Sequence, residues 1–242
     1  MPDHFSRIFL LSHMRAFTSL AGHILGSNPA INGYYEMHLG YEDTSALEKQ
    51  LSAYCEHDVI KEHSRFLFDK LLHNDYRLMP ERLGPVPVTI MVALREPAST
   101  IRSIVQLFSQ KQSGDTYASP ESASRYYIDR LEWLARFCRT TEHDYHYFDA
   151  ELLLSSPERL LSSMSGWLQL DEPLSQHYRL FSQTGQARKG DSSKFISSGR
   201  IDQSRSDHTH IQIPAHVLNR ARETYQRCRQ QMIAHAVDAL TL

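Results

Sequence analysis

Residues 7–25 read RIFLLSHMRAFTSLAGHIL, and the fold follows from how this stretch is parsed. Residues 7–12 form a compact apolar run that ends in small and polar side chains, as a short buried strand does. From Thr18 the spacing changes: Leu20, Ala21, Ile24 and Leu25 fall on one helical stripe, and Ser27-Asn28-Pro29 ends it. A strand that enters a helix through a tight turn presents the helix's first N–H groups. Here Arg15, Thr18 and Ser19 stand beside them, so the junction is suited to an anion. It is not a Walker A loop, because no GxxxxGK followed by Ser or Thr occurs in the chain.

Working outward, residues 86–94 (VPVTIMVAL) are apolar almost throughout, which predicts a strand covered on both faces and hence a parallel sheet. Arg95 leaves its C-terminal end, Pro97 opens a helix over 98–109, and Ser103 lies eight residues after Arg95. Residues 65–70 (RFLFDK) and 145–148 read as further strands. Residues 44–56, 120–138, 157–168 and 214–237 read as helices, 30–43 as an irregular connection and 185–199 as a loop. Strand and helix alternate with no repeat or linker between them, which predicts one α/β domain over 1–242 with a central parallel sheet between two helical layers.

The bulk numbers are ordinary for a globular chain: 242 residues, with 26 Lys and Arg against 28 Asp and Glu. A slightly acidic balance without basic runs argues against nucleic-acid or membrane-surface binding. The three cysteines are scattered and lack CxxC spacing, which predicts neither a disulfide framework nor a zinc site, and a reducing, cytoplasmic setting. The apolar run at 8–11 is too short for a signal segment or a membrane span.

Three motifs carry chemistry. The first is Arg15-Ala16-Phe17-Thr18-Ser19 at the strand-helix turn, and the second is the Arg95…Ser103 pair at the end of the best strand. The third is Arg188-Lys189-Gly190, in a basic loop of an otherwise slightly acidic chain. An Arg at the C-terminal edge of a parallel sheet is well placed for a phosphate.

In this order and spacing the three resemble the sulfotransferase family that uses 3′-phosphoadenosine 5′-phosphosulfate (PAPS). Residues 28–38 (NPAINGYYEMH) and 152–170 (LLLSSPERLLSSMSGWLQL) also look like family sequence. The resemblance implies a P-loop NTPase-like sulfotransferase fold and PAPS as co-substrate, with no metal. It implies that the first turn holds the 5′-phosphosulfate, Arg95 and Ser103 hold the 3′-phosphate, and the 188–190 loop closes on the same phosphate. Lys70 matches by position a lysine that the family often has there. Phe148 stands where the family has an adenine contact, and core packing is its equal alternative. Ala16 and Phe17 replace the family's Ser and Gly, which removes one hydroxyl and puts a side chain where the family uses glycine's backbone freedom. The basic loop lacks the glycine spacing of the cytosolic hormone and phenol enzymes, so the chain looks like a small soluble bacterial-type relative.

The expected reaction is transfer of a sulfuryl group to a hydroxyl or amine of a small-molecule acceptor, by in-line displacement. Positive charge on the leaving oxygen would come from Arg15, the helix amides and Lys70. Candidates for the base are Glu36, His38 and His73. Histidine is poised near neutral pH, and the resemblance favours Glu36. The alternatives are a metal-dependent nucleotide kinase or NTPase, against which the missing Walker A and Walker B residues count, and a catalytically inactive nucleotide-binding protein. The sequence assigns no role to Asp149 and leaves the oligomeric state open.

Overall fold

The computed structural model describes residues 5–109, 116–185, 195–204 and 208–242. Its centre is a six-stranded sheet in the order β2-β3-β1-β4-β5-β6. The strands are β1 (Ser6–Leu11), β2 (Ile31–Asn32), β3 (Phe66–Leu71), β4 (Val88–Leu94), β5 (Tyr145–Asp149) and β6 (Asp238–Leu240), and all pair in parallel. The helices are α1 (Thr18–Ser27), α2 (Ser45–Cys55), α3 (Pro97–Ser109), α4 (Pro120–Thr140), α5 (Leu152–Ser155), α6 (Pro157–Trp167) and α7 (Ala215–His235).

Strand side chains alternate between two apolar layers, as the period of two requires. Ile8, Leu10, Phe68, Met91 and Ala93 pack with α1, α5 and α6. Phe9, Leu11, Ile90, Val92 and Leu94 pack with α3, α4 and α7. This is the expected three-layer α/β arrangement, with a fully parallel sheet buried on both faces. The sequence reading missed β2, β6 and α5. Two- and three-residue edge strands and a one-turn helix carry too few residues to show a period.

The topology fixes where a ligand can sit. β1 lies between β3 and β4. The chain leaves β1 toward one side of the sheet and later crosses to the other, which opens a crevice beyond the C-terminal end of β1. α1 starts at that crevice and lies close to the chain: a Cβ on Gly22 would come within 2.3 Å of the Tyr34 carbonyl oxygen. Lys61 closes the far end of α1 by donating to the carbonyls of Gly26, Asn28 and Ile31. At the C-terminal end of β5, Asp149 accepts Arg229 Nε at 2.8 Å, the Tyr147 hydroxyl at 2.8 Å and the Leu242 amide at 3.0 Å. Its role is to tie α7 and residue 242 to the sheet. Among the described residues no helix is long and apolar enough to cross a membrane.

Candidate active site

The first two motifs meet at the end of β1. Arg15 Nε donates to Ser103 Oγ at 2.9 Å, and Arg95 Nη1 donates to the Arg15 carbonyl at 2.8 Å. Lys70 Nζ donates to Ser19 Oγ at 3.1 Å from the neighbouring strand. Arg95, Lys70, Ser103 and Thr18 are all buried, so three cations and three hydroxyls converge on one strand-helix junction. At the start of α1 the N-cap is Phe17, whose side chain offers no oxygen, and no side-chain hydrogen bond caps the helix. Its first N–H groups therefore add their dipole to the cations.

The turn answers the question raised by Ala16 and Phe17. Arg15 and Phe17 take left-handed backbone conformations, with φ of 64° and 56°. The backbone that glycine would adopt is kept, at a cost of roughly 1 kcal/mol for each residue that has a Cβ. Part of that cost is offset by the Phe17 ring, over which the Arg95 guanidinium lies at 4.2 Å from the centroid. Ala16 is buried.

Residues that the sequence reading did not single out hold this turn. His13 is fully buried: its Nε2 accepts the Arg95 amide at 3.0 Å, which leaves Nδ1 to donate to the Met14 carbonyl at 2.9 Å. Tyr126 receives the Met14 amide at 2.8 Å and donates to the Leu72 carbonyl at 2.7 Å. Arg130, one turn later on α4, donates to the carbonyls of Ser12 and Leu71 at 2.8 and 2.5 Å, joining the ends of β1 and β3. Tyr127 donates to the Arg95 carbonyl at 2.7 Å. One face of α4 thus fixes the loops that follow β1 and β4. These are long-range contacts, and the helical spacing predicts only that the face is buried.

Burial pushes His13 down to about 3 from its ordinary 6.5, the nearby charges of Arg95 and Arg130 adding to the effect. A lowered folded-state value means that His13 contributes stability fully above pH 6.5 and loses it as the pH falls toward about 3. Replacing His13 with Asn, which cannot protonate, should therefore destabilise the protein most at pH 7.5. The cost should shrink by about 1.4 kcal/mol per pH unit below 6.5. Urea unfolding at pH 7.5 and 5.5 checks this; a cost independent of pH would contradict the buried neutral imidazole.

Across the crevice, the segments after β2 and β3 bring the three candidate bases together, Glu36 and His38 from the first and His73 from the second. Glu36 is buried, and its Oε1 has no hydrogen-bond partner among the described residues. His38 Nδ1 lies 3.8 Å from that oxygen. Burial lowers the His73 value below the usual imidazole range, with Glu36 opposing the shift. Rings follow one another from His38 to Tyr76, from Tyr76 to His73 and from His73 to Tyr126, with centroids 5.5, 6.4 and 5.6 Å apart. Since Tyr126 also holds the Met14 amide, this aromatic strip runs from the turn after β1 to His38 beside Glu36. Beneath it, Asp69 is fully buried in β3, and burial pushes its carboxyl up to about 7.

Two assignments fare differently. Phe148 is fully buried in the layer beneath α1 and α6, packed with the core as the second of its two readings expects. Arg188, Lys189 and Gly190 lie outside the described residues.

No family model and no curated protein matches the sequence. Solved structures do match. The sulfotransferase domain from the curacin biosynthetic pathway aligns with a TM-score of 0.62 at 18% identity, over 93% of this chain and 98% of that one. The sulfotransferase domain from the Synechococcus PCC 7002 olefin synthase aligns with a TM-score of 0.58 at 18% identity, over 93% and 97%. The chain shares the fold of these two domains.

Proposed function

We propose that this protein is a PAPS-dependent sulfotransferase acting on a hydroxyl or amine of a small-molecule acceptor. The observation that carries the reading is the hydrogen bond from Arg15 to Ser103, with Arg95 bound to the Arg15 carbonyl. It joins, at the sheet edge where ligands bind, the two motifs that separately suggested a phosphosulfate turn and a 3′-phosphate pair. The donor set fits a nucleotide with two anionic ends: cations, hydroxyls and helix N–H groups, with Arg95, Lys70, Thr18 and Ser103 buried and Arg15 and Ser19 partly so.

PAPS supplies the sulfuryl group. The acceptor oxygen or nitrogen forms the new bond to sulfur as the bond to the phosphate oxygen breaks, releasing adenosine 3′,5′-bisphosphate. In this chain Arg15, Arg95 and Ser103 hold the nucleotide, and Thr18, Ser19 and the start of α1 hold its phosphosulfate end. Lys70, beside Ser19, offers positive charge to the leaving oxygen. Glu36 Oε1, buried and lacking a hydrogen-bond partner among the described residues, takes the acceptor's proton. Phe148, buried in the core, is left out of this donor site, and 188–190 belong to it by resemblance alone. The single-domain organisation and a cytoplasmic setting belong to the same reading.

The transferred group carries about one negative charge against roughly two for a terminal phosphoryl, and β4 runs into Arg95 where a Walker B acid would stand. Incubation with PAPS and a panel of alcohols, phenols, sugars and amines should therefore release adenosine 3′,5′-bisphosphate and give a sulfated product by mass spectrometry, in EDTA as well as without it. Loss of turnover on chelation, restored by Mg²⁺, would put a metal-dependent phosphoryl reaction in its place.

A further inference from the structure

We infer that Asp69 is the positioning residue of the acceptor side: its buried carboxylate pins segment 36–41, and with it Glu36, to the strand end that carries Lys70. This rests on the functional reading above. Asp69 Oδ1 accepts the Met37 amide at 3.0 Å and the Lys70 amide at 2.7 Å, and Oδ2 accepts the Tyr41 hydroxyl at 2.6 Å. Met37 directly follows Glu36, and Tyr41 ends the same segment, where its amide donates to the Arg77 carbonyl at 2.7 Å.

Two features set this cluster apart from ordinary core satisfaction. Residues 33–40 form neither helix nor strand, so no repeating hydrogen-bond ladder fixes the backbone around Glu36, and Asp69 supplies contacts that a ladder would otherwise give. Asp69 also interrupts an apolar strand (FLFDKL) at a fully buried position. An apolar side chain there would avoid the cost of burying a carboxylate. What an apolar residue could not do is grip the amide beside Glu36 and the amide of Lys70 with one oxygen. The proposed base and the donor-side cation are thereby held to the same point.

Above about pH 8, where the Asp69 carboxyl, raised to about 7, is ionised, Asp69→Asn keeps the shape and one acceptor oxygen but replaces charge-assisted bonds by weaker neutral ones. It should lower kcat about tenfold, because a loosened base loses alignment with the acceptor. Affinity for adenosine 3′,5′-bisphosphate should stay within about twofold, since Arg15, Arg95 and Ser103 do not touch Asp69. In a Glu36→Gln background the same change should cost less than about twofold, as the positioned group is already gone. Amide exchange at Met37 should quicken about tenfold in Asp69→Asn, and Tyr41→Phe should show a smaller loss of kcat in the same direction. An equal loss of kcat in both backgrounds, or an unchanged kcat with faster exchange, would overturn the positioning role. Absence of sulfuryl transfer by the parent would instead overturn the functional reading. Met37 exchange would then judge the clamp on its own, and unchanged exchange in Asp69→Asn would reject it.

Discussion

Replacing Glu36 with glutamine should lower the rate of sulfuryl transfer by about 10²–10⁴, the usual contribution of a positioned base. Gln keeps the length and hydrogen-bonding reach of the side chain but cannot accept the proton. Binding of adenosine 3′,5′-bisphosphate should be nearly unchanged, because Glu36 lies across the crevice from the Arg95–Ser103 side. Two neighbouring imidazoles make the test informative. His38 is 3.8 Å from Glu36 Oε1 and partly open to solvent, so His38→Asn should cost only a fewfold. His73 is held edge-on and tilted between Tyr76 and Tyr126, where it shapes the aromatic strip. His73→Asn should raise the acceptor KM more than it lowers kcat. A pre-steady-state comparison of the three variants separates chemistry from product release. If either histidine variant abolishes transfer while Glu36→Gln stays within a fewfold of the parent, the base is a histidine. If all three remain active, leaving-group stabilisation by Arg15 and Lys70 carries the rate.

The layout of this site was legible in part from local pattern. The turn 12–17, the strand ending at Leu94 and the helix opening at Pro97 were all readable, because each is a change of period or a Pro within a few residues. That pattern alone places Arg15, Lys70, Arg95 and Ser103 at one sheet edge. Partners that act over long sequence separation were not legible. Arg130 reaches Ser12 across 118 positions, and Tyr126 reaches Met14 across 112. In the sequence both read only as members of an amphipathic helix. His13 had no signal beyond its place in the turn. Asp69 did have one that went unused: a carboxylate in the middle of a strand expected to be covered on both faces needs partners, and Met37, Lys70 and Tyr41 supply them. Phe148, for which the sequence left an adenine contact and core packing as equal alternatives, lies fully buried in the core.

The second large effect is expected at Arg95. Its guanidinium is fixed by the Arg15 carbonyl and the Phe17 ring, so it is oriented before any ligand arrives. Arg95→Ala should weaken adenosine 3′,5′-bisphosphate binding by a hundredfold or more. Two charge-assisted hydrogen bonds at about 1.5–3 kcal/mol each account for that loss. Arg95→Lys should recover little of it, because a single ammonium cannot both stack on Phe17 and span the distance to the Arg15 carbonyl with the planar fork of a guanidinium. Binding of adenosine 5′-monophosphate, which lacks the 3′-phosphate, should change only a fewfold in either variant.

The central claim is that this crevice holds a 3′-phosphorylated adenosine nucleotide. Titration calorimetry of the unmodified protein with adenosine 3′,5′-bisphosphate and with adenosine 5′-monophosphate tests it most directly. The bisphosphate should bind roughly a hundredfold or more tightly, from two or three charge-assisted hydrogen bonds made only by its 3′-phosphate. Equal affinities for the two nucleotides would contradict the 3′-phosphate site, and the sulfotransferase reading with it.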